Sequence, residues 1–386
     1  MIPSGWSVAL VRDLCTLESG NGFKPSDWKS SGLPIIRIQN LNGSKEFNYF
    51  QGHPEKRWLV EPGQILFAWA GVKGVSFGPK IWNGPRGVLN QHIFKVHPKP
   101  GVEKSWLYLA LMDVTQRIEE NAHGFKSSLL HVRRDDILDQ EVGVPTPAEQ
   151  ARISKAVVSW EVAISTTESL IAAKQQRKQA LMQKLLTGKM RLPGFKTPWA
   201  QTQIRSFLTE SRNPGSDGSS ARKLTVKLYG NGVVPRSERM VGSDNTKYYR
   251  RKAGQFIYGK LDFLNGAFGI VPPSLDGYES TLDLPAFDFS PGINPEFFLS
   301  FVGQTSFYAQ FSGAAEGGRK ARRIQVDEFL DASILVPDPK EQAAIARVLG
   351  AADTELRLLI AKKTALESQK KALMAVLLTG KKRLKA

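Results

Sequence analysis

The sequence predicts an α+β protein: two mixed α/β domains joined by two long antiparallel helices that form a coiled coil, the whole built as an internal pseudo-two-fold repeat. Three observations predict it. The segment ALMQKLLTGKMRL (180–192) returns as ALMAVLLTGKKRL (372–384), and VPTPAEQARI (144–153) returns as VPDPKEQAAI (336–345), both at an offset of 192. Between these paired ends, apolar residues fall at steps of three and four. The stretches that precede them alternate at steps of two and are punctuated by Pro, Gly and Asn.

The repeat comes first, because a missed duplication misreads the whole fold. From Val144 to Leu192 no gap is needed, and 19 of 49 positions are identical. The match extends upstream, with DDILD (135–139) on DEFLD (327–331) and GQILFAWAG (63–71) facing GQFIYGKLD (254–262). Trp6 and Trp199 each open a half. The chain therefore divides into 1–143, 144–195, 196–335 and 336–386.

The two tails read as helices. Ile153, Val157, Trp160, Ile164 and Ile171 line one stripe, and Ile345, Leu349, Leu356, Leu359 and Leu366 line the other. Pro147 and Pro339 stand in the first turn, Glu149 and Glu341 near its positive end, and Gly188 and Gly380 close the helices. About 40 helical residues give a rod of about 60 Å. A single apolar stripe on such a rod needs a partner, either the other tail or the globular parts.

In the globular parts, LPIIRIQNL (33–41) puts Ile36 and Ile38 on one side of a strand, Arg37 and Gln39 on the other. RKLTVKLYGNG (222–232) does the same with Leu224, Val226 and Leu228 against Thr225, Lys227 and Tyr229. Residues 105–121 and 294–311 read as amphipathic helices at equivalent places in the two halves.

The net charge is +17, and +12 of it lies in residues 144–195 and 340–386. Such a balance favours a polyanionic partner. The single cysteine, Cys15, excludes an internal disulfide and a cysteine-based zinc cluster. No basic stretch leads into an apolar run at the start of the sequence, and no apolar stretch reaches the ~18–20 residues of a membrane span. A cytoplasmic protein is expected. Catalytic patterns are missing as well. All five histidines lie in the first half without metal-ligand spacing, NPEF (294–297) lacks the second proline of an amino-methyltransferase signature, and SGAAEGGRKAR (312–322) is not a P-loop. No cofactor and no metal are expected.

The paired helix starts VPTPAEQ/VPDPKEQ, the paired ends, the opening Gly5, Trp6, Val8, Leu10 and the LPIIRIQNL stretch together resemble the specificity subunit of type I restriction–modification enzymes, over essentially the whole chain. The resemblance implies a non-catalytic subunit with two target recognition domains, each holding one half of a gapped, asymmetric sequence in double-stranded DNA. It also implies helices that fix the spacing, docking of two adenine-N6 methyltransferase subunits, and motor-nuclease subunits that join for restriction. A duplicated coiled-coil scaffold without sequence-specific DNA binding is the alternative.

Arg can bracket guanine, and Gln or Asn adenine, through paired hydrogen bonds in the major groove. In the first domain this selects Arg37, Gln39, Asn40 and Asn42, with Lys73 and the HGFKSS loop (His123, Lys126, Ser127, Ser128). In the second it selects Lys227, Tyr229, Asn231, Lys260 and Asn265, with Arg319, Lys320, Arg322 and Arg323 suited to phosphates. Trp69 and Trp82 read as core or partner contacts.

Overall fold

The computed structural model describes residues 3–121, 129–236, 245–304, 306–307, 310–311 and 323–384. They fall into two compact units, Met1–Thr167 with Lys362–Ala386, and Glu168–Ala361. Both long helices form as the periodicity requires: α2, Pro147–Leu185, and α4, Pro339–Leu378. Each ends where glycine permits a left-handed residue, Gly188 at φ +69° and Gly380 at φ +68°. Met190 N–H then reaches back to Lys184 O, and Lys382 N–H to Val376 O, capping the last carbonyls. No helix among the described residues is long and apolar enough to cross a membrane.

The first unit is built on a four-stranded antiparallel sheet in the order Cys15–Ser19, Ile93–Pro98, Ile65–Ala68, Gly78–Ile81. Helix α1, Lys104–Asn121, packs on it through Trp106, Leu107, Leu111 and Val114. A smaller sheet, which includes a parallel pair of Leu33–Ile36 with Gly87–Leu89, forms a second layer over Ile36, Val60 and Leu89. The second unit repeats the main sheet in the same order: Leu208–Ser211, Ala286–Phe289, Phe256–Tyr258, Phe268–Ile270. Helix α3, Pro295–Val302, corresponds to α1 but is shorter, with Asn294 Oδ1 accepting from Phe297 N–H as its N-cap. Here the second layer is two two-stranded ribbons joined by a single bridge between Lys223 and Glu279, so the halves share a base and differ above it.

The apolar stripes divide their work. Ile153 and Val157 are buried with the sheet and α1 of the first unit, beside Leu377 and Leu378 from the end of α4. Ile345 and Leu349 are buried in the second unit beside Leu185 and Leu186 from the end of α2. Full burial of such a side chain stabilises by about 1.5–3 kcal/mol. Thus the first turns of each stripe pack on globular parts as well as on a helix. Further along, Trp160, Ile164, Ile171, Leu359 and Leu366 are half-buried and Leu356 is buried. Antiparallel pairing within each unit is fixed by ion pairs: Glu161–Lys370 at 2.7 Å in the first, Lys174–Glu355 at 2.5 Å and Lys178–Asp353 in the second. Glu161–Lys370 and Asp353–Lys178 are repeat equivalents, since 161 and 178 plus 192 are 353 and 370.

Three local expectations fail. The strand expected over 33–41 stops at Ile36, and Ile38–Leu41 is a helical turn, because the Asn40 side chain accepts from Arg37 N–H and starts the turn. The strand expected over 222–232 covers only Leu224–Val226, after which the chain turns, leaving Leu228 and Tyr229 exposed. The helix expected over 294–311 stops at Val302, before Gly303.

Candidate nucleic-acid interface

The repeated motifs build the same clasp twice, once in each unit. Glu341, in the first turn of α4, is fully buried, and its oxygens accept from Arg191 Nε at 2.6 Å, Arg191 Nη2 at 2.7 Å and Trp199 Nε1 at 3.1 Å. In the first unit, Glu149 accepts from Arg383 Nε at 2.9 Å, Arg383 Nη2 at 2.8 Å and Trp6 Nε1 at 3.0 Å. The glutamate of each AEQ/KEQ start therefore holds the arginine of the other copy's GKMRL/GKKRL end. The next residue staples the start of the helix packed on the main sheet. Gln150 Oε1 accepts from Glu103 N–H and its amide donates to Pro145 O; Gln342 Oε1 accepts from Asn294 N–H and its amide donates to Pro337 O. The guanidinium of Arg383 and the Trp6 indole hold the Glu149 carboxyl below the usual carboxylate range. A depressed carboxylate contributes stability above its unfolded-state pKa, and that stability is lost as pH falls through the folded-state value. Acidification below the normal carboxylate range should therefore loosen the first unit's clasp, with Glu149→Gln flattening that part of the pH–stability curve measured by thermal unfolding.

These clasps position the surfaces that carry the expected DNA contacts. In the first domain, Arg37 lies with its guanidinium 4.9 Å above the Trp28 ring, and Nη1 donates to Asn48 Oδ1 at 2.8 Å. A planar cation held on an aromatic face and tied at one edge is pre-organised. Gln39 and Asn42 are exposed on the same turn. Asn40 is buried and spends its amide on the loop itself, donating to Ser44 O and Glu46 O. Lys73 donates to Glu119 O near the end of α1 at 2.6 Å. His123, Lys126, Ser127 and Ser128 lie outside the described residues.

In the second domain the turn carrying Lys227, Tyr229 and Asn231 is bonded to the turn carrying Asn265, through Tyr229 N–H to Asn265 O at 2.8 Å. Asn231 donates its amide to Leu228 O. Arg323 pairs with Asp283, whose carbonyl accepts from Lys260 N–H, so Lys260 and Arg323 are neighbours. Arg319, Lys320 and Arg322 lie outside the described residues. Trp82 is core. Trp69 is half-buried and stacks on His131 at 4.9 Å, with His92 5.1 Å away.

Sequence reasoning missed Trp28 and Asn48 as the mount of Arg37. It also missed Arg222 above Tyr278 at 5.0 Å and Lys223 above Tyr248 at 5.5 Å. The partners in these pairs lie 9 to 56 residues apart, beyond the reach of a helical or strand period, so no local pattern announces them. Arg251 is fully buried, donating to Ser280 Oγ and to the carbonyls of Ser211, Thr281 and Leu284. Burial pulls its pKa down to about 10, which leaves it charged at neutral pH. No group of three or more His, Cys, Asp or Glu among the described residues could hold a metal ion.

The model of the type I restriction modification DNA specificity domain matches residues 3–173. The chain is similar to the type I restriction enzyme EcoBI specificity subunit of Escherichia coli, 23% identical over 197 residues, which cover 49% of this chain and 40% of that one. It is 22% identical over 207 residues to the MjaVIII specificity subunit of Methanocaldococcus jannaschii, covering 50% and 48%. These matches thus span under half the length of each curated relative. Among solved structures, the S subunit of a type I system from M. genitalium is similar with TM-score 0.58 and 13% identity, over 98% of this chain and 96% of that one. The HsdS subunit from Thermoanaerobacter tengcongensis matches at TM-score 0.51 and 14% identity, over 98% of both chains. A chain from a study of type I restriction–modification complex assembly matches at TM-score 0.62 and 14% identity, also over 98% of both. The chain is thus similar to the type I restriction modification DNA specificity domain in sequence over residues 3–173, and shares its fold with type I specificity subunits over nearly its whole length.

Proposed function

We propose that this chain is the non-catalytic, DNA-reading subunit of a cytoplasmic type I restriction–modification complex. Residues 1–143 and 196–335 are the two target recognition domains, and 144–195 and 336–386 the helical regions that join them and set the spacing of the half-sites. Each domain reads one half of a gapped, asymmetric sequence. The equivalent surfaces of the repeat dock two methyltransferase subunits, and motor-nuclease subunits complete the restricting assembly. The observation that carries this reading is the duplicated clasp beneath two divergent upper layers: an invariant frame of equivalent elements presents two different surfaces, which suits two identical partners and two different half-sites.

Base contacts are assigned to Arg37, Gln39 and Asn42 in the first domain, and to the Lys227–Asn231 turn with Lys260 and Asn265 in the second. Arg37→Ala should relax preference at one base of one half-site by about 1–3 kcal/mol, measured by competition among duplexes varied at that base. A loss spread evenly over all sequences would instead make Arg37 a phosphate contact.

The test of the whole reading is co-expression with the neighbouring methyltransferase gene in a host without adenine methylation, followed by genome-wide mapping of N6-methyladenine. A gapped two-part motif is expected. A stable complex that leaves the genome unmethylated and binds no preferred duplex would make the chain a scaffold.

A further inference from the structure

Tyr229 is the one non-glycine residue with positive φ among the described residues, at +59°. Bulky residues rarely occupy that region, and the adjoining turn positions use glycine for it, Gly230 at +68° and Gly232 at +76°. The fold receives little in return. The side chain is 80% exposed, and no described hydrogen bond or ring contact engages it. Yet the backbone beneath is held firmly. Tyr229 N–H donates to Asn265 O and Gly230 N–H to Gly266 O, each at 2.8 Å. Gly266 fits so closely that a Cβ there would come within 3.0 Å of the Tyr229 Cα. Backbone strain of this kind persists where the surroundings over-determine it, and it clusters at ligand-contacting sites.

The surroundings indicate the ligand. Leu228 and Lys227, also exposed, precede the ring. Tyr229 lines an open groove of about 1920 Å³ in the second unit, shared with the amides of Asn231 and Gln175 and with Lys189, Arg357, Glu296 and the Lys178–Asp353 ion pair. Lys189 and Arg357, with the amides of Gln175 and Asn231, place cations and hydrogen-bonding groups around one projecting aromatic, which suits a phosphate backbone and a base face. An apolar ring on a rigid stalk is also the chemistry of side chains that press between base steps.

We propose that Tyr229 is a specificity-determining residue of the second recognition domain, its ring stacking on or wedging against a base step of DNA in the second half-site. The inference rests on the DNA-reading function proposed above. The full chain, assembled with its methyltransferase subunits, is offered a pool of duplexes randomised over the target length, and the bound fraction is sequenced. Tyr229→Gly relieves the backbone strain, so its melting temperature should equal or exceed that of the unchanged chain. Its preference at one or two positions of one half-site should nevertheless fall tenfold or more, with the other half-site unchanged. Tyr229→Phe should restore most of that preference, because the ring and not the hydroxyl is responsible. A lower melting temperature for Tyr229→Gly with both half-site preferences intact would overturn the assignment and make the residue structural. Failure of Tyr229→Gly to assemble with the methyltransferase subunits would make it a protein-docking residue. If the unchanged chain shows no preferred sequence in the pool, the DNA-reading function itself fails, a result separate from either of these.

Discussion

In a urea titration, Arg191→Ala is expected to lower the stability of the second unit sharply, because it leaves a buried carboxylate with only the Trp199 indole to bond it and no cation. Glu341 is 0% exposed and cannot turn to water when Arg191 is removed. Glu341→Gln should cost clearly less, since the amide oxygen still accepts from Arg191 or from Trp199 Nε1 and no unpaired charge is buried. Arg191→Lys should not recover the loss, because one ammonium cannot reproduce the paired Nε and Nη2 bonds. The order of the three variants is the informative result. Equal effects would mean that the clasp acts by packing alone.

Phe329→Ala is the second large effect, about 3–5 kcal/mol from lost burial and the cavity left behind. Phe329 is fully buried at the centre of the second unit's aromatic core. Its ring lies 4.8 Å from Tyr258, 5.6 Å from Phe256 in a stacked pair, 5.6 Å from Phe263 and 5.7 Å from Phe287. These residues come from two strands of the main sheet and the turn Phe263–Asn265 beside it, so the cavity would open under that sheet. Calorimetry of the full chain should show a lowered transition, and duplex selection should show the second half-site blurred before the first. Phe329→Leu, which keeps most of the volume, should lose less than half as much.

Both long helices, their proline starts and their glycine ends were legible because each signal is local: a period, a cap, a left-handed residue. The duplication made the equivalence of the halves legible too. What the repeated motifs do was not, since Glu149 and Arg383 meet across 234 residues and nothing near either names the other. The residues expected to line a helix pair are buried or half-buried, and Ile153 and Ile345 among them face sheet and helix together, which periodicity cannot distinguish from a helix pair. At 33–41 and 222–232 two-residue alternation misled. A single side-chain cap at Asn40 ended one strand, and a turn at Tyr229 ended the other; both override a four-residue propensity. Among the expected base readers, Asn40 shows the limit of residue type as evidence: the chemistry that would bracket adenine is consumed by the loop.

The clasp also orders the making of the molecule. The second unit is one uninterrupted stretch, Glu168–Ala361, and its glutamate and arginine are 150 residues apart. The first unit needs Lys362–Ala386 to complete it, including Leu377 and Leu378 in its core and Arg383 on Glu149. Synthesised from its amino end, the chain can therefore close its second unit while the first still waits, open along one edge, for Lys362–Ala386 to arrive. The part made first is the part finished last.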